Sequence, residues 1–181
     1  MNNTCKRIVI TEEPFADTQQ NPFQRGAWPA KWIGHPGVST AEASVTAYRL
    51  CFTLDDTLSF RIHVSADERY ELFLDGRRIG RGPERGDRHC WFFESYDLTL
   101  APGRHTLVAR VFWLGANTPA AHAQITVRPA FLLGAEGVSP DVLNTGIAAW
   151  ETRRLGGYTF VPPGVAWGTS AKTVIDGASY E

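Results

Sequence analysis

Residues 58 to 66, LSFRIHVSA, alternate without interruption: Leu58, Phe60, Ile62, Val64 and Ala66 fall on one side, Ser59, Arg61, His63 and Ser65 on the other. A two-residue repeat marks an extended strand with one apolar and one polar face. It defeats a helical reading, because the residue three beyond Leu58 is Arg61. Tyr48, Leu50, Phe52 and Leu54 show the same repeat before a turn at Asp55-Asp56-Thr57, and Tyr70, Leu72 and Leu74 show it afterwards. This third run closes at Asp75-Gly76, a pair that favours a type I′ hairpin because both central positions accept positive φ.

The series continues. WFFESYDLTL, residues 91 to 100, reads as a strand ending at Ala101-Pro102-Gly103-Arg104, where proline presets one turn position and glycine accepts positive φ at the next. HTLVARVFWLG then puts Leu107, Ala109, Val111 and Trp113 on one face, so Trp113 is expected in the core. AQITV, AFLLG, IAAWE and GYTFV supply shorter apolar runs, residues 140 to 144 read as a loop, and no capped helix of three turns is found. Many short strands with regular turn signals predict an all-β fold, a β-sandwich or jelly roll.

The first 40 residues differ, being punctuated by Pro14, Pro22, Pro29 and Pro36. They are expected to form an extended N-terminal arm, residues 1–40, laid over a sandwich of residues 41–181 and pinned by Trp28, Trp32 and Ile33. A chain of 181 residues suits a single domain, able to bury roughly 70% of its unfolded surface.

A formal charge of −1 provides no field to recruit nucleic acid or an anionic membrane, so neither is an expected partner. Cys5, Cys51 and Cys90 match no metal-binding spacing and read as buried or unpaired thiols. The N-terminal apolar run is only Ile8-Val9-Ile10, too short for a secretion signal, and no stretch approaches the about 20 apolar residues of a membrane span. The chain is therefore expected to be soluble and, as far as localisation can be read, cytoplasmic.

Chemistry concentrates in residues 77 to 88, RRIGRGPERGDR, where five arginines face Glu84 and Asp87. Guanidinium groups present planar forked donors suited to carboxylates, phosphates or sugar hydroxyls, whereas surface charge runs more often stay solvated or pair with a neighbouring domain. GRGPERG lacks the Lys-Ser/Thr ending of a phosphate loop and no helix follows it. Arg85-Gly86-Asp87 spells an adhesion tripeptide, a match too short to carry weight. No GxSxG motif occurs, the histidines accompany no recognisable nucleophile, and no pair of carboxylates can be placed across a cleft, so no catalytic residue is assigned. Trp91 follows the loop, and of Trp91, Phe92 and Phe93 at least one must leave the core or be covered. Arg81, Arg85, Asp87, Arg88 and Trp91 are thus the candidate sugar-binding or interdomain residues.

WPAKWIG at 28 to 34, the stretch from Phe60 to Asp87, WFFESYDLTLAPGRHTLVARVFWLG at 91 to 115 and NTGIAAWETRR at 144 to 154 together resemble the N-terminal β-sandwich of bacterial α-L-rhamnosidases of glycoside hydrolase family 78. The central YELFLDG also resembles the strand and hairpin of galactose-binding-like jelly rolls in β-galactosidase-type enzymes. In that family hydrolysis belongs to an (α/α)₆ barrel, which nothing here matches. The resemblance therefore implies a non-catalytic accessory domain whose partners are downstream domains of the same polypeptide. The alternative is an autonomous carbohydrate-binding module for L-rhamnose or galactose-type sugars, in which the loop arginines and Asp87 bond hydroxyls while Trp91 stacks. Some relatives carry a module that binds rhamnose with calcium; none of its ligands aligns with a residue here, so no metal or cofactor is assigned.

Overall fold

The computed structural model describes residues 3–16, 28–115, 127–161 and 171–180. Pro22 of the arm and all of AQITV except Val127 lie outside the described residues. Strands β1 (Thr4–Ile8), β6 (Glu94–Leu100), β3 (Leu58–Asp67) and β8 (Ala130–Glu136) form one antiparallel sheet in the order β1-β6-β3-β8. A five-stranded antiparallel sheet holds β5 (Arg77–Gly82), β4 (Arg69–Leu74), β7 (Gly103–Trp113), β2 (Ser44–Leu54) and β9 (Glu151–Leu155), in the order β5-β4-β7-β2-β9. β10 (Tyr158–Val161) and β11 (Lys172–Ile175) make a separate antiparallel pair. Apart from the β4–β5 hairpin, each step from β2 to β9 carries the chain to the opposite sheet. The all-β sandwich of the jelly-roll type expected from the alternation is what the chain forms.

The apolar rows meet between the sheets. Leu107, Ala109, Val111 and Trp113 are each 1% exposed or less, and Phe60, Ile62, Val64 and Ala66 face them from β3. Burying a side chain of this size contributes about 1.5–3 kcal/mol, so these rows dominate the stability. The hairpin has the geometry its sequence asked for, with φ of 49° at Asp75 and 77° at Gly76. Asp75 does more than turn the chain: its carboxylate accepts from the Thr106 amide at 2.8 Å and pairs with His105 Nδ1 at 2.8 Å, tying the hairpin to β7.

Three local expectations change. The strand expected from Trp91 begins only at Glu94: Trp91 and Phe93 pack with Trp28 over His63 on the outside of the four-stranded sheet, and Phe92 is exposed. Pro140–Leu143 is a single helical turn, α1, rather than a loop, after which Asn144 and Thr145 seal β8: Asn144 Oδ1 accepts from Ala135 N at 2.8 Å and Thr145 Oγ1 from Leu133 N at 3.1 Å. Thr4–Ile8, read as part of the arm, pairs along β6 as an edge strand.

Further along the N-terminal region, Ile33 exchanges two 2.9 Å backbone hydrogen bonds with Phe131 of β8, and Phe15 and Trp28 pack over His63. Gly134 makes room for them, since a Cβ there would lie 2.8 Å from Phe15 Cζ. Trp32 touches Trp91 instead of the core and is 39% exposed. Cys5, Cys51 and Cys90 are free thiols, the last two exposed rather than buried.

Candidate functional site

The arginine loop grows out of β5, an edge strand hydrogen-bonded on one side only. The pairing slips between Leu72 and Phe73, leaving Ile79 as a bulged residue that packs on the core. Its glycines have a packing role. A Cβ at Gly80 would stand 2.2 Å from the Tyr96 hydroxyl oxygen, and one at Gly82 would stand 2.7 Å from Glu94 Cγ. Gly80 and Gly82 thus lie in an edge strand pressed onto Tyr96 and Glu94 of β6, which accounts for these two glycines without a bound anion.

The structure divides the five candidate residues among three places. Arg81 and Arg85 line a cleft of about 830 Å³ beside Tyr70, Tyr96 and Phe112. Most other charge in this cleft is already matched: Arg7 pairs with the nearly buried Glu94, and Glu71 with Arg110 and Arg78. Burial pulls the Glu71 carboxyl upward, but the Arg110 and Arg78 guanidinium groups outweigh it and leave the group below the usual glutamate range. Arg81 and Arg85 are exposed and have no ion pair among the described residues.

Asp87 belongs to neither cleft nor pocket. Its Oδ1 accepts from the amides of His89 at 2.7 Å and Cys90 at 2.9 Å, and these donors hold its carboxyl below the usual aspartate range. It shapes its own loop, as a short acidic side chain in a turn commonly does.

Arg88 and Trp91 line a second pocket, of about 350 Å³, at the end of the four-stranded sheet. Trp91 lies with its ring centre 5.5 Å from Trp28 and 5.5 Å from Trp32, edge to face with both. Trp32 and Arg128 complete the rim, and Val127 adds an apolar patch. Asp67, 2% exposed, fixes that end of β8 by accepting from the amides of Val127 at 2.6 Å and Arg128 at 3.0 Å. The neighbouring Glu68 accepts from Leu114 N at 2.7 Å while its other oxygen is buried without a partner. Burial raises the Glu68 carboxyl to about 7.

Sequence reasoning placed Arg88 and Trp91 but missed Trp32 and Arg128 as their companions. Trp32 was legible: next to Ile33 in an extended segment, it must point the opposite way. Arg128, which lies 40 positions after Arg88, carries no local signal at all. Among the described residues no three His, Cys, Asp or Glu side chains converge as a metal ion would require, and no helix is long and apolar enough to cross a membrane.

Fold and surface together define a β-sandwich module of the jelly-roll class whose recognisable features are an arginine-lined cleft and a tryptophan-framed pocket. The chain is similar in structure to part of the GH78 family rhamnosidase of Bacillus sp. GL1, with a TM-score of 0.68 and 26% identity over 84% of this chain and 16% of that one. It is also similar to part of the α-L-rhamnosidase from Dictyoglumus thermophilum, with a TM-score of 0.60 and 16% identity over 85% of this chain and 19% of that one. The resemblance to a β-sandwich domain of family 78 rhamnosidases thus holds in three dimensions, and the chain spans less than a fifth of either rhamnosidase. No family model and no curated protein matches the sequence.

Proposed function

We propose that this chain is a non-catalytic accessory domain of an α-L-rhamnosidase, packed against the catalytic barrel and other domains of the same polypeptide. The observation that carries this reading is the asymmetry of coverage: 84% of the chain superposes on only 16% of a family 78 rhamnosidase. The state of the acidic groups supports it. Glu71, Glu94, Asp67 and Asp87 are each engaged by arginines or backbone amides, which fits structural service better than proton transfer at a glycosidic bond. Arg81 and Arg85, uncommitted within the described residues, are the groups this reading assigns to a neighbouring domain.

Hydrolysis of an aryl α-L-rhamnoside tests the proposal. The 181-residue chain alone should be inert, the longer polypeptide containing it should cleave the substrate, and Arg85→Ala in that polypeptide should lower its melting temperature or its activity. Turnover by the isolated chain would overturn the non-catalytic reading. A longer protein indifferent to Arg85→Ala would overturn the docking role of the loop.

A further inference from the structure

The pocket framed by Trp32 and Trp91 has the makings of a binding site in its own right, independent of any packing role for the Arg81–Arg85 cleft. Its volume, about 350 Å³, falls within the range of small-ligand sites, roughly 300–1,000 Å³. Its walls are fixed by ordered structure. Trp32 is held beside the Ile33–Phe131 bridge, Trp91 contacts both Trp28 and Trp32, and Arg128 sits where the Val127 and Arg128 amides donate hydrogen bonds to the Asp67 carboxylate.

Two features set the ligand chemistry. Indole rings present broad apolar faces, and here the two meet at 72°, so that one can serve as floor and the other as wall for a flat saturated ring. The charged groups then discriminate. Arg88 and Arg128 are exposed, permanently cationic and without an ion pair among the described residues; Arg88 Nε donates to His89 Nε2 at 3.0 Å, which leaves its two terminal nitrogens for a ligand, and the one carboxylate in the lining, Asp67, is buried against backbone amides. The pocket therefore offers a net positive charge carried on planar forks that fit a carboxylate with two parallel hydrogen bonds.

We infer that this pocket binds an acidic sugar, a pyranose bearing a carboxylate, with its ring stacked on Trp32 beside Trp91 and its carboxylate against Arg88 and Arg128. This goes beyond the accessory role, which needs no ligand, and differs from a site for neutral rhamnose or galactose.

The test is calorimetric titration of this chain, with tryptophan fluorescence followed in parallel, against methyl β-D-glucuronide, methyl β-D-glucoside and L-rhamnose. The uronide should bind about tenfold or more tightly than either neutral sugar, as expected when a charge-assisted fork is made by one ligand alone, and added salt should weaken its binding. Arg128→Gln should remove that preference. Trp32→Ala, at a position already 39% exposed, should weaken binding while leaving the melting temperature nearly unchanged. Equal affinity for uronide and glucoside, preference for rhamnose, absence of heat with any of the three at millimolar concentration, or full binding by the Trp32→Ala variant would each overturn the inference. None of these outcomes bears on rhamnoside cleavage by the longer polypeptide, so the two proposals fail separately.

Discussion

The two outer faces of the sandwich are written in the same alternating code and end in different environments. On the five-stranded sheet Val45 and Phe112 are covered at one end, where Phe112 packs on Tyr158 and Phe160 of β10, while the other outward side chains pair at the surface. Arg49 reaches Glu151 at 2.6 Å, and Arg110 binds Glu71, touches the hydroxyls of Tyr158 and Tyr180, and lies 5.6 and 5.5 Å from the ring centres of Phe73 and Phe112. The four-stranded sheet starts the same way, with Ser59 on Thr99 and Arg61 on Asp97. Two residues later the face closes over. His63 is 1% exposed and Ser65 is fully buried, beneath Phe15, Trp28 and Phe93. A period of two says which side chains leave the core; whether they reach water depends on what another part of the chain lays over them.

The contrast is broken most directly by removing the cover. Phe15→Ala deletes a side chain 3% exposed over Gly134 and His63, and should cost about 3–5 kcal/mol in denaturant unfolding. Arg49→Ala on the opposite face removes a solvated ion pair and should leave the unfolding midpoint almost unchanged. Equal costs for the two variants would mean that the covered face adds nothing to stability beyond an ordinary surface.

Glu68 belongs to neither face and tests the rule that charge here is matched by contact. Desolvation is the main cause of its raised carboxyl, near 7, against 4.5 for the free group. Between those two values the unfolded chain has lost a proton that the folded chain keeps, so stability falls as pH rises from about 4.5 to 7 and levels off above. Glu68→Gln keeps an acceptor for Leu114 N and removes the charge. At pH 8 it should gain up to about 3 kcal/mol and lose this pH slope, measured by urea midpoints across the range. A slope unchanged in the variant would show that another group sets it.

How much of this was legible follows the range of each interaction. The sheets were readable because alternation is local and because Asp75-Gly76 and Pro102-Gly103 carry their turn chemistry with them. The cover over His63 was not, since Phe15 lies 48 positions away and the polar letters of LSFRIHVSA look solvated in isolation. The site divides likewise. Arg81 and Arg85 were found from composition, yet that they line one depression while Arg88 and Trp91 line another depends on the path of the chain between β5 and β6, which no single stretch encodes. That Asp87 Oδ1 accepts from two amides of its own loop was not legible, because sequence does not distinguish an aspartate that only reaches outward from one that also bonds nearby backbone.

The smallest expected effect separates the two faces by pH. Burial keeps His63 below its ordinary value despite the Glu136 carboxylate 3.0 Å from Nε2, so the folded ring is neutral, with Ser95 at Nδ1. Unfolded histidine gains a proton near 6.5, and stability therefore declines as pH falls from about 6.5 toward the lower folded value. Arg61 disfavours the imidazolium and Glu136 and Asp97 favour it, so burial decides the sign. His105 works oppositely. Burial opposes its charge, but Asp75 and the Ala101 carbonyl prevail and raise it, so its contribution is complete below 6.5 and is lost as pH rises through the folded value. On the other face Glu71, held below 4.5, contributes fully above that value and loses its contribution only as pH falls further. Melting temperatures of His63→Gln and Glu71→Gln, each followed from pH 8 to 3, should flatten different windows, the first beginning at about 6.5 and the second only below about 4.5. If both variants flatten the same window, the two faces share one electrostatic environment and the covering of His63 has no consequence for its proton.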